Sequence, residues 1–196
     1  MTNTTLDIII GPMFAGKSCE LIRRIRILKV LQKNYLVVKP SIDNRYEDSP
    51  INSHIISHNY EKEHCVVLQH MNDIFDKFIF DKLNNNTNIN TIFVDEGQFF
   101  DDLKEAVIRL VEEYHINVVI TGLDGDSNRN KFGQILDLIP YCTSCTKINA
   151  CCVKCMDGTP APFSYRKKNN INEQVLIGAN DMYMSLCRKH YLEDND

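Results

Sequence analysis

Apolar and polar positions along the chain alternate between short β-branched runs and stretches with helical periodicity. Five apolar runs bounded by polar or turn-forming residues predict buried strands: Leu6–Ile10, Tyr35–Pro40, 65–68, Thr91–Val94 and 117–124. Continuous apolar runs of this length are typical of parallel strands covered on both faces. The alternation predicts an α/β fold, with a parallel sheet, right-handed crossovers and flanking helices.

Three stretches with helical spacing separate these strands. The first follows the strand at Leu6–Ile10 and places Leu21, Ile25 and Leu28 at i, i+4 and i+7. Segments 71–83 and 103–114 predict two further helices, the second capped by Asp101 or by Asp102 with Glu105 as capping-box partner. The polar segment 41–58 instead predicts a surface excursion at the edge of the sheet where ligands of open α/β sheets bind.

The first predicted strand runs into a glycine-rich loop that opens the first helix. Its sequence fits the phosphate-binding pattern G-x-x-x-x-G-K-S: Gly11, Pro12, Met13, Phe14, Ala15, Gly16, Lys17 and Ser18. In such a P-loop the backbone amides and the helix N-terminus face a triphosphate, the lysine reaches the β- and γ-phosphates and the serine holds Mg²⁺. The motif predicts a P-loop sheet of the RecA-like type; the alternative is a βα turn with an incidental lysine.

Two adjacent acids follow the strand Thr91–Val94. Side chains of neighbouring residues at a strand end point to opposite sides, so Asp95 can face a magnesium ion while Glu96 faces an acceptor. Asp95 occupies the Walker-B position, and Glu96 is the candidate general base for an attacking hydroxyl. The alternative is a helix cap or a solvated turn. Arg45 is a candidate cation near the phosphates, with a solvated arginine as the alternative.

Composition and charge limit the class of partner. A chain of 196 residues with 43% hydrophobic residues can bury one main core plus a smaller appendage. A net charge of −4 provides no general electrostatic surface for nucleic acid or for an anionic membrane, so a small anionic ligand is expected instead. The apolar runs are too short for a membrane span and the first residues do not resemble a signal peptide; a cytoplasmic location is expected.

The last quarter of the chain has a different character, since six of the eight cysteines lie between Cys142 and Cys187. The predicted domains are therefore 1–141 and 142–196. Two C-x-x-[C/H] pairs predict a structural tetrahedral zinc site formed by Cys152, Cys155, Cys187 and His190. Alternatives are a four-cysteine site that uses Cys142 and Cys145 with the first pair, Cys151 in place of its neighbour, or unmetallated thiols.

Several of these segments together resemble one family. The P-loop, the run from Asp95 to Phe100, and Ile177 and Gly178 with Tyr183 look like the type II thymidine kinases, the cellular and poxvirus type, in order along nearly the whole chain. The resemblance implies that Glu96 accepts the proton of the deoxyribose 5′-hydroxyl. It also implies ATP binding by the P-loop and by Asp43, Asn44, Arg45, Asp95, Gly97 and Gln98.

The same resemblance implies a thymine pocket closed by a C-terminal lasso. Met13, Phe99 and Leu123 would line the pocket, and the lasso would contribute Ser164, Gln174, Val175, Leu176, Ile177, Gly178 and Tyr183. Phe99 fits an aromatic face for a planar base, although a core position is an equal alternative. Ser127 stands where the family commonly has a pocket phenylalanine, so the pocket would be looser or would rely on Phe132.

The expected reaction is transfer of the γ-phosphoryl group of ATP to thymidine, and also to deoxyuridine, with Mg²⁺. The resemblance further implies the zinc site, with His190 replacing the commoner fourth cysteine, and a homotetramer, with a dimer as the alternative. Feedback by dTTP is an additional expectation.

Two other classes of protein compete with a kinase. A nucleotide hydrolase or GTPase switch shares the P-loop, but Gly133 stands where a guanine-reading N-K-x-D motif needs an aspartate. A zinc-ribbon nucleic-acid-binding protein is disfavoured by the net charge of −4.

Overall fold

The computed structural model describes residues 3–43, 54–56, 61–79, 89–167 and 182–194. Its centre is a six-stranded sheet in the order β5-β2-β6-β7-β1-β8, with every pair of neighbours parallel. The strands are β1 (Leu6–Ile10), β2 (Tyr35–Pro40), β5 (Val66–Leu68), β6 (Thr91–Val94), β7 (Asn117–Gly122) and β8 (Ser144–Lys147). The predicted parallel α/β sheet and its five predicted strands are confirmed, with β7 ending at Gly122.

The central strands of the sheet are covered on both faces, and their successive side chains enter different cores. In β1, Ile8 and Ile10 belong to the larger core, whereas Ile9 packs against Leu21 and Ile25 on the other face. This arrangement explains why the strand sequences are apolar without alternation, and it leaves the carboxyl ends of β1 and β6 accessible for chemistry.

Helix α1 (Lys17–Val30) covers one face, and α2 (Leu103–Ile108) packs into the larger core on the other. Shorter helical segments are Phe75–Ile79 and Arg109–Glu113, both π-helical, and Gly97–Phe99 and Ile135–Tyr141, both 3-10. The helix predicted over 103–114 is confirmed, as α2 continued by the segment Arg109–Glu113. The helix predicted over 71–83 is present in part, and residues 80–83 lie outside the described residues. Among the described helices, none has the length and apolarity that crossing a membrane requires.

The predicted capping box at α2 is wrong. Asp102 is the N-cap residue, but its carboxylate makes no capping hydrogen bond. It accepts hydrogen bonds from the backbone N–H groups of Met71 and Asn72, both at 2.8 Å. The Asp102 carboxylate thus binds a segment about 30 residues earlier in the chain. It therefore does not form the capping box with Glu105.

Segment 41–58 was predicted to be a surface excursion, but its described part includes a β-strand. Strands β3 (His54–Ile56) and β4 (Lys62–His64) form an antiparallel hairpin. Ile55 is buried beside α1 in the smaller core, which a purely polar excursion would not provide. Burial of Ile55 anchors the hairpin, together with the buried Glu63 of β4, whose carboxylate accepts hydrogen bonds from Tyr35 of β2 and Lys29 of α1.

The described residues of the C-terminal part form two small antiparallel strand pairs and one helix. Strands β9 (Ala150–Cys151) and β10 (Pro160–Ala161) pair, as do β11 (Phe163–Arg166) and β12 (Tyr183–Leu186), and α3 (Arg188–Glu193) follows. The sequence analysis did not predict α3. Because β8 belongs to the main sheet, we propose that the division predicted after residue 141 lies nearer residue 148.

Candidate functional site

The loop between β1 and α1 has a backbone conformation that few sequences can adopt. A Cβ on Gly11 would lie 2.1 Å from the carbonyl oxygen of Ile148, so only glycine fits there. Gly16 caps α1 with φ of 83°, and Phe14 also has a positive φ, of 63°. The buried Lys17 ammonium donates a hydrogen bond of 2.8 Å to the carbonyl oxygen of Pro12. The loop is therefore wrapped in the form that phosphate binding requires.

Asp95 lies opposite the first turn of α1. The Ser18 hydroxyl donates to its carboxylate oxygens at 3.1 and 3.3 Å, and the Thr121 hydroxyl donates at 2.5 Å. Burial raises the pKa of the Asp95 carboxyl to about 6, and the negative charge of Glu96 adds to the rise; the two hydroxyls oppose it. The oxygen atoms around Asp95 are hard donors of the kind that Mg²⁺ prefers. The charge of a bound Mg²⁺ would offset the repulsion between the Asp95 and Glu96 carboxylates.

Glu96 is held in a strained backbone conformation. Its φ of 51° and ψ of 43° lie in the left-handed region, which costs a non-glycine residue about 1–3 kcal/mol and is concentrated at functional sites. The buried Gln98 amide donates to the Glu96 carboxylate at 2.6 Å and accepts from the Leu123 N–H at 2.9 Å. Gln98 thus links the candidate general base to the end of β7.

Two glycines make room for this glutamine. A Cβ on Gly122 would lie 2.5 Å from the Gln98 side-chain oxygen, and one on Gly133 would lie 2.1 Å from the Gln98 carbonyl oxygen. Neither distance leaves space for a side chain, so positions 122 and 133 both require glycine.

Residues predicted to form the base pocket meet in two places. The backbone N–H of Met13 donates to the Ser164 hydroxyl at 2.9 Å, which joins the P-loop to β11. The rings of Phe99 and Phe132 stand edge to face with centroids 5.4 Å apart. Phe99 is half-buried and belongs to none of the core clusters among the described residues.

Other predicted site residues are only partly described. Asp43 lies close enough to Asp95 to contribute to the rise of its pKa, and Tyr183 is buried in β12 with the Arg166 guanidinium 5.6 Å from its ring centroid. The remaining predicted residues lie outside the described residues: Asn44, Arg45, Gln174, Val175, Leu176, Ile177 and Gly178.

Four side chains of the C-terminal part converge, and their ligand atoms all lie within 4.8 Å of one another: Cys152, Cys155, Cys187 and His190. The His190 Nδ1 is 3.4 Å from each of the three sulfurs, and the sulfurs of Cys155 and Cys187 are 3.8 Å apart. Tetrahedral zinc with bonds of about 2.3 Å to sulfur and 2.0 Å to nitrogen requires separations of about 3.8 and 3.5 Å. The four residues predicted from spacing therefore match a structural zinc site.

The thiols of this cluster have divergent acidities. Burial raises the pKa of the Cys155 thiol to about 11. Burial also acts to raise the pKa of Cys152, but hydrogen bonds from the Cys187 backbone and the His190 side chain outweigh it and lower the value to about 6. A cluster that already favours one thiolate is suited to metal binding, which requires deprotonated sulfur.

A family model described as thymidine kinase matches residues 4–191 of this sequence. The chain belongs to the thymidine kinase family. The thymidine kinase of vaccinia virus strain Western Reserve is 36% identical, with 98% of this chain and 99% of that protein covered. A thymidine kinase of Oryza sativa subsp. japonica is 38% identical over 96% of this chain, which spans 66% of the rice protein.

Structural comparison adds a distant neighbour, the genome packaging NTPase B204 from Sulfolobus turreted icosahedral virus 2 in complex with ATP-γS. It aligns with a TM-score of 0.42 at 14% identity, covering 69% of this chain and 71% of that chain. The resemblance to thymidine kinases inferred from the sequence motifs is confirmed by the family match.

The structure adds one residue to the site that the sequence did not reveal. Thr121 is fully buried and makes the shortest of the hydroxyl contacts to Asp95. The available signal was a single polar residue near the end of the apolar strand β7, which by itself does not indicate a partner. The pairing depends on β6 and β7 being neighbours in the sheet.

Proposed function

We propose that the protein transfers the γ-phosphoryl group of ATP to the 5′-hydroxyl of thymidine. Thymidine kinase activity follows from the family; the donor, the acceptor atom and the residue roles are the proposal. The observation that carries it is the convergence at one sheet edge of the P-loop serine, the buried Asp95 and the strained Glu96. This combination supplies a phosphate cradle, a magnesium ligand and a proton acceptor.

The proposed roles divide along the sheet edge. Residues Gly11 to Ser18 would bind the phosphates, with Lys17 moving from the Pro12 carbonyl to the β- and γ-phosphates. Ser18 and Asp95 would hold Mg²⁺, which supplies charge neutralisation at the transferred phosphoryl group when bound. Glu96 would take the proton of the acceptor hydroxyl. Asp43, Asn44 and Arg45 are proposed to complete the ATP site, and Gly97 and Gln98 to shape it.

The acceptor base would lie between the P-loop side and the C-terminal part. Support comes from the Met13–Ser164 hydrogen bond and from the Phe99–Phe132 pair. An aromatic face with a few fixed polar groups suits a planar, uncharged pyrimidine. Gln174 to Gly178 and Tyr183 are proposed, by the family resemblance, to close the pocket.

Further properties belong to the same proposal. Zinc would occupy the cluster of three cysteines and His190, where it stabilises the C-terminal part. Feedback inhibition by dTTP and a homotetramer are proposed on the family resemblance alone, and a cytoplasmic location on the sequence features given above. Deoxyuridine is proposed as a second acceptor.

The proposed reaction is tested with a panel of deoxynucleosides and Mg·ATP. We expect thymidine to be converted to its 5′-monophosphate and deoxyuridine to be a second acceptor, whereas purine deoxynucleosides are not phosphorylated at comparable rates. Separate measurement of ADP and of nucleoside monophosphate distinguishes transfer from hydrolysis. ADP release without any thymidine monophosphate would contradict the proposed function.

Ser127 provides a test of pocket selectivity. Replacing Ser127 with phenylalanine should raise the ratio of kcat/KM for thymidine to that for deoxyuridine by up to roughly tenfold, since one methyl group in an apolar pocket is discriminated to about this extent. Asn128→Phe is the control because it adds the same ring at the neighbouring, exposed position. Equal ratios in Ser127→Phe and the parent would exclude a role for Ser127 in selectivity.

A further inference from the structure

The segment between β7 and the 3-10 helix at Ile135–Tyr141, here called the pocket loop (residues 124–133), is fixed at its two ends. Immediately before the loop, the Leu123 N–H donates to the side-chain oxygen of Gln98, the residue that also contacts Glu96. At its end, Gly133 packs directly on the Gln98 carbonyl. The ends of the pocket loop are thus tied to the candidate general base through one glutamine.

The pocket loop is also ordered internally. The carboxylate of the buried Asp126 accepts hydrogen bonds of 2.9 Å from the N–H groups of Asn128 and Asn130. Gly125 and Lys131 form an isolated antiparallel bridge across it. These contacts define a turn that contains Ser127.

Tyr191 holds the far side of this turn. Its hydroxyl donates a hydrogen bond of 2.6 Å to the carbonyl oxygen of Ser127. Its ring is buried, with the Phe163 ring 5.1 Å away and the Arg129 guanidinium of the pocket loop 4.7 Å from its centroid. One side chain therefore contacts the loop through both a hydrogen bond and a cation–π pair.

Tyr191 lies directly beside the cysteine and histidine cluster. Tyr191 follows His190 directly, and its backbone N–H donates to the Cys187 carbonyl at 2.9 Å. Two of the four cluster residues thus bracket the turn of α3 that presents the tyrosine. Ordering of the cluster would order the phenol as well.

We propose that Tyr191 is a positioning residue for thymidine binding, through which the cysteine and histidine cluster sets the conformation of the pocket loop. The cluster then contributes to acceptor affinity as well as to stability. The inference rests on the proposed function, because it assumes that Ser127 and its neighbours border the acceptor pocket.

The chain offers a matched control in the same aromatic group. Tyr165 lies 6.1 Å from Tyr191 in an edge-to-face arrangement, is also buried, and donates its hydroxyl to the Asp194 carbonyl at 3.1 Å. Tyr165→Phe and Tyr191→Phe each remove one phenolic oxygen from this group. Only the second removes a contact with the pocket loop.

The test compares full-length Tyr191→Phe, Tyr165→Phe and parent protein by steady-state kinetics, zinc analysis and hydrogen exchange of residues 124–133. In Tyr191→Phe we expect KM for thymidine to rise about threefold to tenfold, the range that one net hydrogen bond supports, with KM for ATP and zinc content unchanged. Hydrogen exchange in the pocket loop should accelerate in this variant. Tyr165→Phe should match the parent in KM for thymidine, KM for ATP, zinc content and hydrogen exchange of the pocket loop.

Unchanged thymidine KM in Tyr191→Phe would overturn the inference, and so would an equal rise in Tyr165→Phe. These outcomes differ from failure of the proposed function, in which the parent itself forms no thymidine monophosphate. Hydrogen exchange reports on the Tyr191–Ser127 contact independently of activity. Faster exchange of the pocket loop in Tyr191→Phe without a change in thymidine KM would therefore also refute a role of Tyr191 in acceptor binding.

Discussion

Replacing Glu96 with glutamine is expected to lower kcat for thymidine phosphorylation by a factor of about 10²–10⁴, the usual contribution of a general base. The amide has nearly the same shape, and its oxygen can still accept the hydrogen bond that Gln98 donates at 2.6 Å. The backbone conformation and the phosphate site should therefore persist, with KM for ATP within about twofold of the parent value, while the proton acceptor is lost. Initial rates over both substrate concentrations measure these effects.

The control for this substitution is Glu105→Gln, on the exposed surface of α2, which removes one negative charge away from the site. It should have parental kinetics. A Glu96→Gln variant that keeps its kcat would assign the proton to another acceptor. A large rise in KM for ATP with unchanged kcat would instead indicate that Glu96 serves nucleotide binding and not proton transfer.

Replacing Cys187 with alanine is expected to reduce bound zinc from about one ion per chain to near zero, because three remaining ligands do not close a structural tetrahedral site. Metal binding supplies folding free energy that a small apolar cluster lacks, so the melting temperature should fall by more than about 5 °C. Thymidine phosphorylation should fall by more than about tenfold, since Phe14 and Ala15 of the P-loop pack against the apolar cluster that contains Cys187. Elemental analysis, calorimetry and activity assays measure the three effects.

Cys145→Ala is the matched control for the metal site. Cys145 is exposed on β8 and belongs to the rival C-x-x-C pair, whereas the described cluster does not include it. The variant should keep its zinc and its activity. One zinc ion retained by Cys187→Ala, or zinc lost from Cys145→Ala, would contradict the proposed ligand set and favour the rival pair.

Residues that act through local spacing were predictable. The P-loop combines a strand, two glycines and a lysine within a few positions, so its chemistry follows from short-range geometry. The cysteine and histidine cluster was predictable for the same reason, since each C-x-x-[C/H] pair brings two ligands together by itself. The single additional requirement was that the two pairs meet in space.

Predictions failed where a side chain had a choice of distant partners. Asp102 has the residue type of a helix cap, yet its carboxylate binds the amides of Met71 and Asn72. Ile55 lies in a polar stretch, yet it is buried beside α1 because the β3–β4 hairpin folds back onto the sheet. Local propensity is a weak guide when tertiary contacts offer a competing partner.

The sequence by itself determined the parallel α/β architecture, the phosphate loop and the two C-x-x-[C/H] pairs, because periodicity and close spacing encode them within single segments. Tertiary structure alone decided which groups contact the candidate site residues: Thr121 on Asp95, Gln98 between Glu96 and Leu123, and Tyr191 on Ser127. The physical reason is that a hydroxyl or an amide can pair with many partners. Only the order of strands and the packing of the C-terminal part bring one of them within hydrogen-bond distance.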